Sequence, residues 1–155
     1  MATRSTAGTA NKSSPESALH QLHRASQLAS DLFVSEMHGI NVTPRQLAVL
    51  ETIMADEGLS QTDLVLRTGI DRSTIADIVR RMQTKGLIKR KRTRSDARVY
   101  AVTLTEKSRK MLEKAIPASA RADEKFLSAL SSTERVRLIQ YLAKITANAD
   151  TPTEG

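Results

Sequence analysis

The sequence predicts a mainly α-helical fold with one small β-hairpin. Along most of the chain, apolar residues recur at spacings of three and four, which is the period of an amphipathic helix. Most of these segments are preceded by a Ser, Thr or Asp that can cap a helix. Residues 99–104 instead follow the alternating pattern of a strand, and a turn-like segment precedes them.

The composition fits one globular domain with an aliphatic core. The chain has 155 residues, of which 39% are apolar, 26% charged and only 3% aromatic. It has no cysteine, which excludes disulfides, thiolate metal sites and cysteine-based redox sensing. No apolar stretch is long enough for a membrane span or a signal-peptide core. We therefore expect a cytoplasmic protein that does not bind membranes.

The two ends of the chain differ from its middle. Residues 1–15 and 148–155 consist mostly of small, polar and turn-forming residues that cannot build a core, so we expect flexible tails. Residues 16–147 should form a single domain. Within it, residues 43–104 form a compact lobe, and residues 16–38 and 105–147 form helices outside that lobe.

Two helices are predicted before residue 60. The first spans residues 16–37, with an apolar stripe of Leu19, Leu22, Ala25, Ala29, Leu32 and Phe33. The second begins after a capping Thr43, with Pro44 in the first helical position and Gln46 completing the capping box, and it ends at Gly58. Its expected buried residues are Leu47, Leu50, Ile53 and Met54.

A short third helix and a fourth helix follow, joined by a tight turn. The third starts at Ser60, with Asp63 as its capping partner, and ends at Gly69. The fourth is capped by Asp71, and Gly86 supplies the left-handed residue past its end. Its expected inward stripe is Ile75, Ile78, Val79 and Met82.

Two strands and two more helices complete the prediction. The strands, residues 89–93 and 99–104, enclose a hairpin tip. Thr105 caps the fifth helix, which Pro117 should kink or break. The last helix is capped by residues 131–134. Its apolar stripe is Val136, Leu138, Ile139, Leu142 and Ile145.

Positive charge is confined to the region of the fourth helix and the hairpin. Between Asp71 and Lys110 there are thirteen Lys or Arg residues against four Asp or Glu, a net charge of +9, whereas the whole chain carries +7. Charge concentrated in one small unit indicates a polyanionic partner, and the groove of duplex DNA accepts a single helix. A basic helix face alone is usually only solvated, so the prediction depends on the combination of turn, helix and hairpin.

The predicted outer face of the fourth helix is short, polar and basic. Arginines on such a face can bond bidentately to guanine edges in the major groove. The free backbone amides at the start of the helix can bind a phosphate. The candidate DNA-binding residues of this helix are Arg72, Ser73, Thr74, Asp77, Arg80, Arg81 and Thr84.

The hairpin tip supplies a second candidate DNA contact. Arg94 and Arg98 flank Asp96 in this loop. An arginine on such a loop can enter the minor groove, where narrow A·T-rich segments concentrate negative potential. We expect Asp96 to pair with a neighbouring arginine and to set the shape of the loop.

Several short segments together resemble the MarR family of bacterial winged helix-turn-helix regulators. The resemblance covers residues 43–105 and, more loosely, residues 16–147. The matching segments are Thr-Pro-Arg-Gln-Leu-Ala-Val-Leu at 43–50, Ser-Gln-Thr-Asp-Leu at 60–64, Gly-Ile-Asp-Arg-Ser-Thr-Ile at 69–75, Lys-Gly-Leu-Ile at 85–88, Asp-Ala-Arg at 96–98 with Leu-Thr at 104–105, and Leu-Ser…Glu-Arg…Leu at 130–138.

The resemblance implies a winged helix-turn-helix lobe flanked by dimerisation helices. Members of the family are homodimers that bind pseudo-palindromic operators in double-stranded DNA, usually as repressors. A small anionic or aromatic effector releases them, and an aromatic carboxylic acid or its coenzyme A thioester is the favoured kind here. By position, residues 72–81 would read the major groove and Arg94 or Arg98 the minor groove. The terminal apolar stripes independently favour a dimer, because a small lobe cannot cover them.

Residues for an effector or a metal ion are less sharply defined. Glu16, His20 and His23 lie on one face of the first helix as a possible metal trio, although such a face is more often only solvated. His38 could meet an anionic effector or cap the helix carbonyls. The candidate ligand-binding residues are His20, His23, Phe33 and His38, and we expect neither a cofactor nor an assigned metal site.

Other function classes remain open at this level. One is an architectural DNA-binding protein of the same fold without an effector, which would bind many sequences within about tenfold of one another. Others are a metal-responsive regulator and an interaction module whose basic helix binds an acidic protein. Enzymatic activity is not expected, because the sequence lacks a Ser-His-Asp order, a glycine-rich phosphate loop and convincing paired carboxylates.

Overall fold

The computed structural model describes residues 17–92 and 100–147. Its elements are α1 (Ala18–Glu36), α2 (Pro44–Ala55), α3 (Gln61–Thr68), α4 (Arg72–Thr84), β1 (Ile88–Arg92), β2 (Tyr100–Leu104), α5 (Glu106–Phe126) and α6 (Ser132–Ala147). This architecture confirms the predicted mainly α-helical class with a β-hairpin. The predicted tails, residues 1–15 and 148–155, and the hairpin tip with Arg94, Asp96 and Arg98 lie outside the described residues.

The chain divides into two compact units. The larger unit is Phe33–Lys125, and the smaller one comprises residues 1–32 and Phe126–Gly155. The lobe predicted at residues 43–104 lies within the larger unit.

Reciprocal hydrogen bonds begin α2 and α3 as the sequence predicts. The Gln46 backbone N–H donates to Thr43 Oγ1 at 3.2 Å, while the Thr43 N–H donates to Gln46 Oε1 at 3.2 Å. Ser60 and Asp63 make the same pair of bonds at 3.1 and 2.8 Å. Each pair satisfies two backbone donors that have no partner inside the helix, so these boundaries are determined locally.

An aliphatic core fills the larger unit. The stripe predicted for α4 is buried in full, and Leu47, Leu50 and Ile53 of α2 are buried as expected. Met54 contradicts the prediction, because 44% of its surface is exposed. It is the penultimate residue of α2, where the helix leaves the core, and the unpredicted Val49 is fully buried instead.

The hairpin packs on this core through the base of its two strands. β1 and β2 are antiparallel, with Ile88 opposite Leu104 and Arg92 opposite Tyr100. Leu59 adds an isolated bridge that the sequence analysis did not predict. The Val102 N–H donates to the Leu59 carbonyl at 2.8 Å, and the bridge ties the segment before α3 to the hairpin.

Pro117 was expected to kink or break α5, and the expected break is wrong. The helix runs without interruption from Glu106 to Phe126 with Pro117 inside it. Pro117 is exposed, whereas its neighbours Ala115 and Ala118 are buried. Proline cannot donate a backbone hydrogen bond to the preceding turn. The packing of the buried alanine face keeps the helix continuous despite this missing bond.

The described helical residues of the smaller unit expose their apolar side chains. α6 is capped as predicted, with the Ser131 N–H and hydroxyl both donating to Glu134, yet none of its residues is buried. α1 likewise has no buried residue. Across α1 and α6, the exposed large apolar side chains are Leu19, Leu22, Leu28, Val34, Val136, Ile139, Tyr141, Leu142 and Ile145, of which only Val34 belongs to the larger unit. None of the described helices combines the length and apolarity that a bilayer crossing requires.

Candidate nucleic-acid interface

A tight turn sets α4 against α3. α3 ends at Gly69, whose φ of 66° is left-handed and costs glycine no steric strain. The Ile70 N–H donates to Thr68 Oγ1 at 3.3 Å and continues the turn. Since the apolar side of α4 packs into the core, its opposite side faces solvent.

The structure places the predicted outer face of α4 at the surface. Arg72, Ser73, Arg80, Arg81 and Thr84 are exposed. Thr74 and Asp77 are half-buried at the edge of the same face. The hydroxyl of Thr84 donates to the Arg80 carbonyl one turn earlier, at 3.1 Å. The side chains predicted to meet DNA therefore share one accessible surface, whose role remains a prediction.

Asp77 joins the two arginines of this face, an arrangement that the sequence analysis did not predict. Its Oδ1 accepts from the Arg80 guanidinium at 2.5 Å, and its Oδ2 accepts from Arg81 Nε at 2.7 Å. All three side chains are at least 40% exposed. Exposed ion pairs contribute little free energy. Either arginine can therefore leave the carboxylate for a base edge at little cost.

The start of α4 is less open to a phosphate than the sequence suggested. Asp71 Oδ1 accepts from the Thr74 N–H at 2.9 Å and from the Ser73 hydroxyl at 2.6 Å. These hydrogen bonds, the one from Ser73 first, hold the pKa of Asp71 well below its ordinary value of 3.8. The Thr74 amide, which we expected to be free, thus donates to a carboxylate of the protein itself. The basic outer face is therefore the part of α4 that attracts anions most strongly.

The strands of the hairpin carry a cationic cluster that was absent from the predicted site. Arg92 Nε donates to the Tyr100 hydroxyl at 3.2 Å, and the Arg90 guanidinium carbon lies 4.7 Å from the centre of the Tyr100 ring. The hydrogen bond from Arg92 is the main cause that lowers the pKa of Tyr100. The sequence does show Arg90 and Arg92 on alternate positions of one strand and Tyr100 on the next strand. Only the strand register, however, shows that these residues lie across from one another.

The N-terminus of α5 holds the C-terminal end of α4. Thr105 caps α5 as predicted, because the Ser108 N–H donates to Thr105 Oγ1 at 3.2 Å. The same hydroxyl donates to the Gly86 carbonyl at 2.8 Å. Lys107 Nζ donates to the carbonyl of Lys85, the C-cap of α4, at 2.9 Å. We call these contacts the α4–α5 clasp.

A basic cleft of about 550 Å³ lies beside this clasp. It is lined by Gly39, Ile40, Asn41, Leu87, Lys107, Lys110, Met111, Glu113 and Lys114. Three lysines and one glutamate of α5 line it together with the apolar Ile40, Leu87 and Met111, so its lining carries a net positive charge. No local sequence pattern indicated these lysines, because only the fold brings α5 beside residues 39–41.

None of the candidate ligand residues is among the residues that line this cleft. His38 is exposed directly before the cleft residues, and Phe33 is half-buried against the core. His20 and His23 are exposed on the part of α1 that belongs to the smaller unit. Within residues 17–92 and 100–147, no group of three His, Cys, Asp or Glu side chains could hold a metal ion, and Glu16 lies outside those ranges.

The fold is that of a winged helix-turn-helix protein. It combines a short helix, a glycine turn, an exposed basic helix and a basic hairpin. Residues 40–99 match the sequence model of the MarR family. The chain is also 31% identical over 128 residues to the transcriptional regulator HosA of Escherichia coli O157:H7, a match covering 83% of this chain and 93% of HosA. The chain belongs to the MarR family and is a transcriptional regulator, not an enzyme.

Two solved structures of the same fold extend the comparison. One is BpsR of Bordetella bronchiseptica, whose DNA binding is regulated by 6-hydroxynicotinic acid. It matches this chain with a TM-score of 0.82 at 26% identity, and the match covers 93% of this chain and 99% of BpsR. The transcriptional repressor CouR, bound to a 23-mer DNA duplex, has a TM-score of 0.77 at 27% identity, covering 89% of this chain and 99% of CouR.

Proposed function

We propose that the protein is a homodimeric repressor that binds a pseudo-palindromic operator in duplex DNA and is released by a small aromatic acid. The observation that carries this proposal is the exposed outer face of α4, with Arg80 and Arg81 beside Asp77 and the hydrophobic side buried. The DNA-bound structure of the repressor CouR, a relative of the same fold, supports the same use of this fold.

In this proposal α4 lies in the major groove. Arg80 and Arg81 donate to guanine O6 and N7, and Asp77 accepts from a cytosine amino group. Arg72, Ser73 and Thr74 contact the flanking backbone, and Thr84 lies on the same outer face. Arg94 or Arg98, with Asp96 shaping the loop, enters the minor groove. Such a regulator would act in the cytoplasm, where a bacterial chromosome lies.

Self-association is supported by the apolar side chains that α1 and α6 leave exposed. Ile139, for example, is 58% exposed, and Ile145 is 65% exposed. Apolar faces of this extent are usually covered by a partner. A symmetric pair would place its two α4 helices about 34 Å apart, one turn of DNA, so each half of a palindrome would meet one helix.

The effector proposal is supported by the basic cleft beside α5. Lys107, Lys110 and Lys114 can pair with a carboxylate, and Ile40 and Met111 can pack on an aromatic ring. The regulation of BpsR by 6-hydroxynicotinic acid supports an aromatic acid as the class. A coenzyme A thioester of such an acid is the alternative form. His38, Phe33, His20 and His23 remain the other candidate contacts.

The test of DNA recognition begins with selection of binding sites from a randomised duplex library. A regulator should prefer the selected site over random DNA by at least roughly a thousandfold. Discrimination within about tenfold would instead show an architectural DNA-binding protein. Failure to bind any duplex at low salt would overturn the proposal for this chain.

The test of the effector uses a panel of aromatic acids and their thioesters. 6-Hydroxynicotinic acid or a related acid should raise the melting temperature of the protein, because a ligand that binds only the folded state stabilises it. The same compound should release the selected duplex in a gel-shift assay. If no member of the panel does either, the effector class is wrong, although operator binding stands.

A further inference from the structure

The base of the hairpin holds two arginines on one aromatic ring. Arg92 lies directly opposite Tyr100 in the strand register, and Arg90 lies diagonally across from it. The guanidinium carbons are 4.7 Å (Arg90) and 5.7 Å (Arg92) from the ring centre, and Arg92 also donates to the hydroxyl at 3.2 Å. Both distances lie within the range of a cation–π interaction.

One ring can hold two like charges that would otherwise separate. The guanidinium groups repel each other, and each arginine side chain loses rotamer freedom when it is fixed. The negative face of the ring attracts both cations, while the hydroxyl takes a hydrogen bond from Arg92. A guanidinium stacked on a ring can still donate its N–H groups to an anion. In Arg92 the Nε–H is bonded to the Tyr100 hydroxyl, so its terminal NH₂ groups would make that contact.

The position of the pair also fits contact with DNA. Arg90 and Arg92 share a strand face with Ile88, which belongs to the core on which α4 packs, whereas Lys89 and Lys91 lie on the other face. A surface concavity of about 640 Å³ is lined by both Arg90 and Gln83 near the end of α4. Arg90 and the last turn of α4 therefore border the same surface depression.

We propose that Tyr100 is a positioning residue for DNA binding, which holds Arg90 and Arg92 as a paired clamp on backbone phosphate. The inference rests on the proposed DNA-binding function and adds a contact on the strands that is separate from the tip arginines. Phosphate is the partner because guanidinium edges match its oxygens bidentately in any sequence. The clamp contributes affinity and salt dependence, and it does not contribute base preference.

The experiment measures binding to a random-sequence duplex of about 30 base pairs by fluorescence anisotropy across a salt series. Tyr100→Leu should weaken binding about three- to tenfold and reduce the salt slope by about one to two units, since each lost phosphate contact is worth about 0.9. Tyr100→Phe keeps the ring and loses only the hydroxyl bond, so it should weaken binding by about two- to threefold.

A background lacking the arginines separates positioning from folding. In Arg90→Gln/Arg92→Gln protein, adding Tyr100→Leu should change affinity by less than about twofold, because no guanidinium remains to be held. An equal loss in both backgrounds would show a structural role and overturn the proposal. So would unchanged affinity and salt slope in Tyr100→Leu protein with wild-type circular dichroism. A wild-type protein that ignores duplex DNA would instead refute the proposed function itself.

Discussion

Asp77 places a negative charge in the middle of a surface that should approach a polyanion. It forms ion pairs with Arg80 and Arg81 on the outer face of α4. The carboxylate repels phosphate, so it disfavours DNA in general, while it can accept a hydrogen bond from cytosine in one kind of site. A residue of this type raises discrimination at the expense of affinity.

Arg80→Ala should relax base preference at one position of the selected operator as well as weaken binding, by roughly 1–3 kcal/mol if Arg80 reads a guanine. Arg80→Lys is the matched control, because lysine keeps the charge and loses the bidentate fork. Competition between the selected site and its single-base variants measures both effects. Weakening that is uniform across all variants would reassign Arg80 to a phosphate.

Asp71→Asn should lower the melting temperature by a few degrees at neutral pH, because the charged cap of α4 is lost while the hydrogen-bonding oxygen remains. The folded-state pKa of Asp71 is depressed, so its contribution is present above the ordinary value of 3.8 and is lost as the pH falls below it.

Thermal melts of wild-type and Asp71→Asn protein at a series of pH values measure this difference. The gap between the two melting temperatures should narrow as the pH falls below about 3.8, the ordinary pKa of the group, and should close only below the depressed pKa of folded Asp71. A gap that does not narrow in acid would mean that the charge of Asp71 is not what stabilises the cap.

At the scale of single elements, α5 combines a tolerated proline with the α4–α5 clasp. Pro117 sits on the exposed side of α5, and the buried alanines keep the helix continuous. Pro117→Ala should raise the free energy of unfolding by about 1–3 kcal/mol, because alanine restores the missing backbone hydrogen bond. Proline also stabilises the protein by restricting the unfolded chain, and the loss of this effect lowers the net gain. Urea denaturation measures the change. Ala120→Pro, at another exposed position of α5, should lower the free energy of unfolding. An increase would contradict the expected cost of a proline inside this helix.

The lysines of α5 allow a test of the basic cleft. Lys110→Met and Lys114→Met should each weaken binding of the aromatic acid selected by the effector screen by roughly tenfold, because each removes a proposed partner of its carboxylate. Lys144→Met on α6 makes the same charge change outside the cleft lining. Isothermal titration measures the affinities. Equal losses in all three variants would indicate general charge attraction and not a site.

Elements that depend on near neighbours were predictable from sequence. The caps at Thr43, Ser60 and Asp71 each involve residues at most three positions apart. Two other contacts join residues far apart in sequence, so no local pattern predicts them. They are the bridge from Leu59 to Val102 and the hydrogen bond from Lys107 to the Lys85 carbonyl.

The candidate site follows the same division between local and long-range signals. The outer face of α4 follows from helical periodicity, and its exposure was predicted correctly. The pairing of Arg90 and Arg92 with Tyr100 depends on the strand register, which the sequence pattern leaves open. The lysine cleft depends on the packing of α5 beside the segment after α1.

At the scale of the whole molecule, the proposed dimer depends on the exposed apolar side chains of α1 and α6. Ile139→Glu should shift the protein from dimer to monomer, because it puts a charge into a surface that is apolar and expected to be covered. Operator affinity should then fall by about a hundredfold, since two linked half-site contacts become one. Light scattering after gel filtration measures the mass.

Gln140→Glu is the matched control for this prediction, because it adds the same charge one residue further along α6. It should leave the dimer intact. A wild-type protein that is already a monomer, or an Ile139→Glu protein that remains a dimer, would contradict the assignment of these stripes to self-association.

The chain contains two tyrosines and no tryptophan. Tyr100 stands on strand β2 within the arginine cluster, and Tyr141 stands on α6 with 63% of its surface exposed. Tyrosine emission therefore comes from two positions only, one on the hairpin and one on the last helix. Replacing either ring with phenylalanine leaves a single tyrosine, so nucleic-acid capture and subunit pairing can be followed optically without attaching a dye.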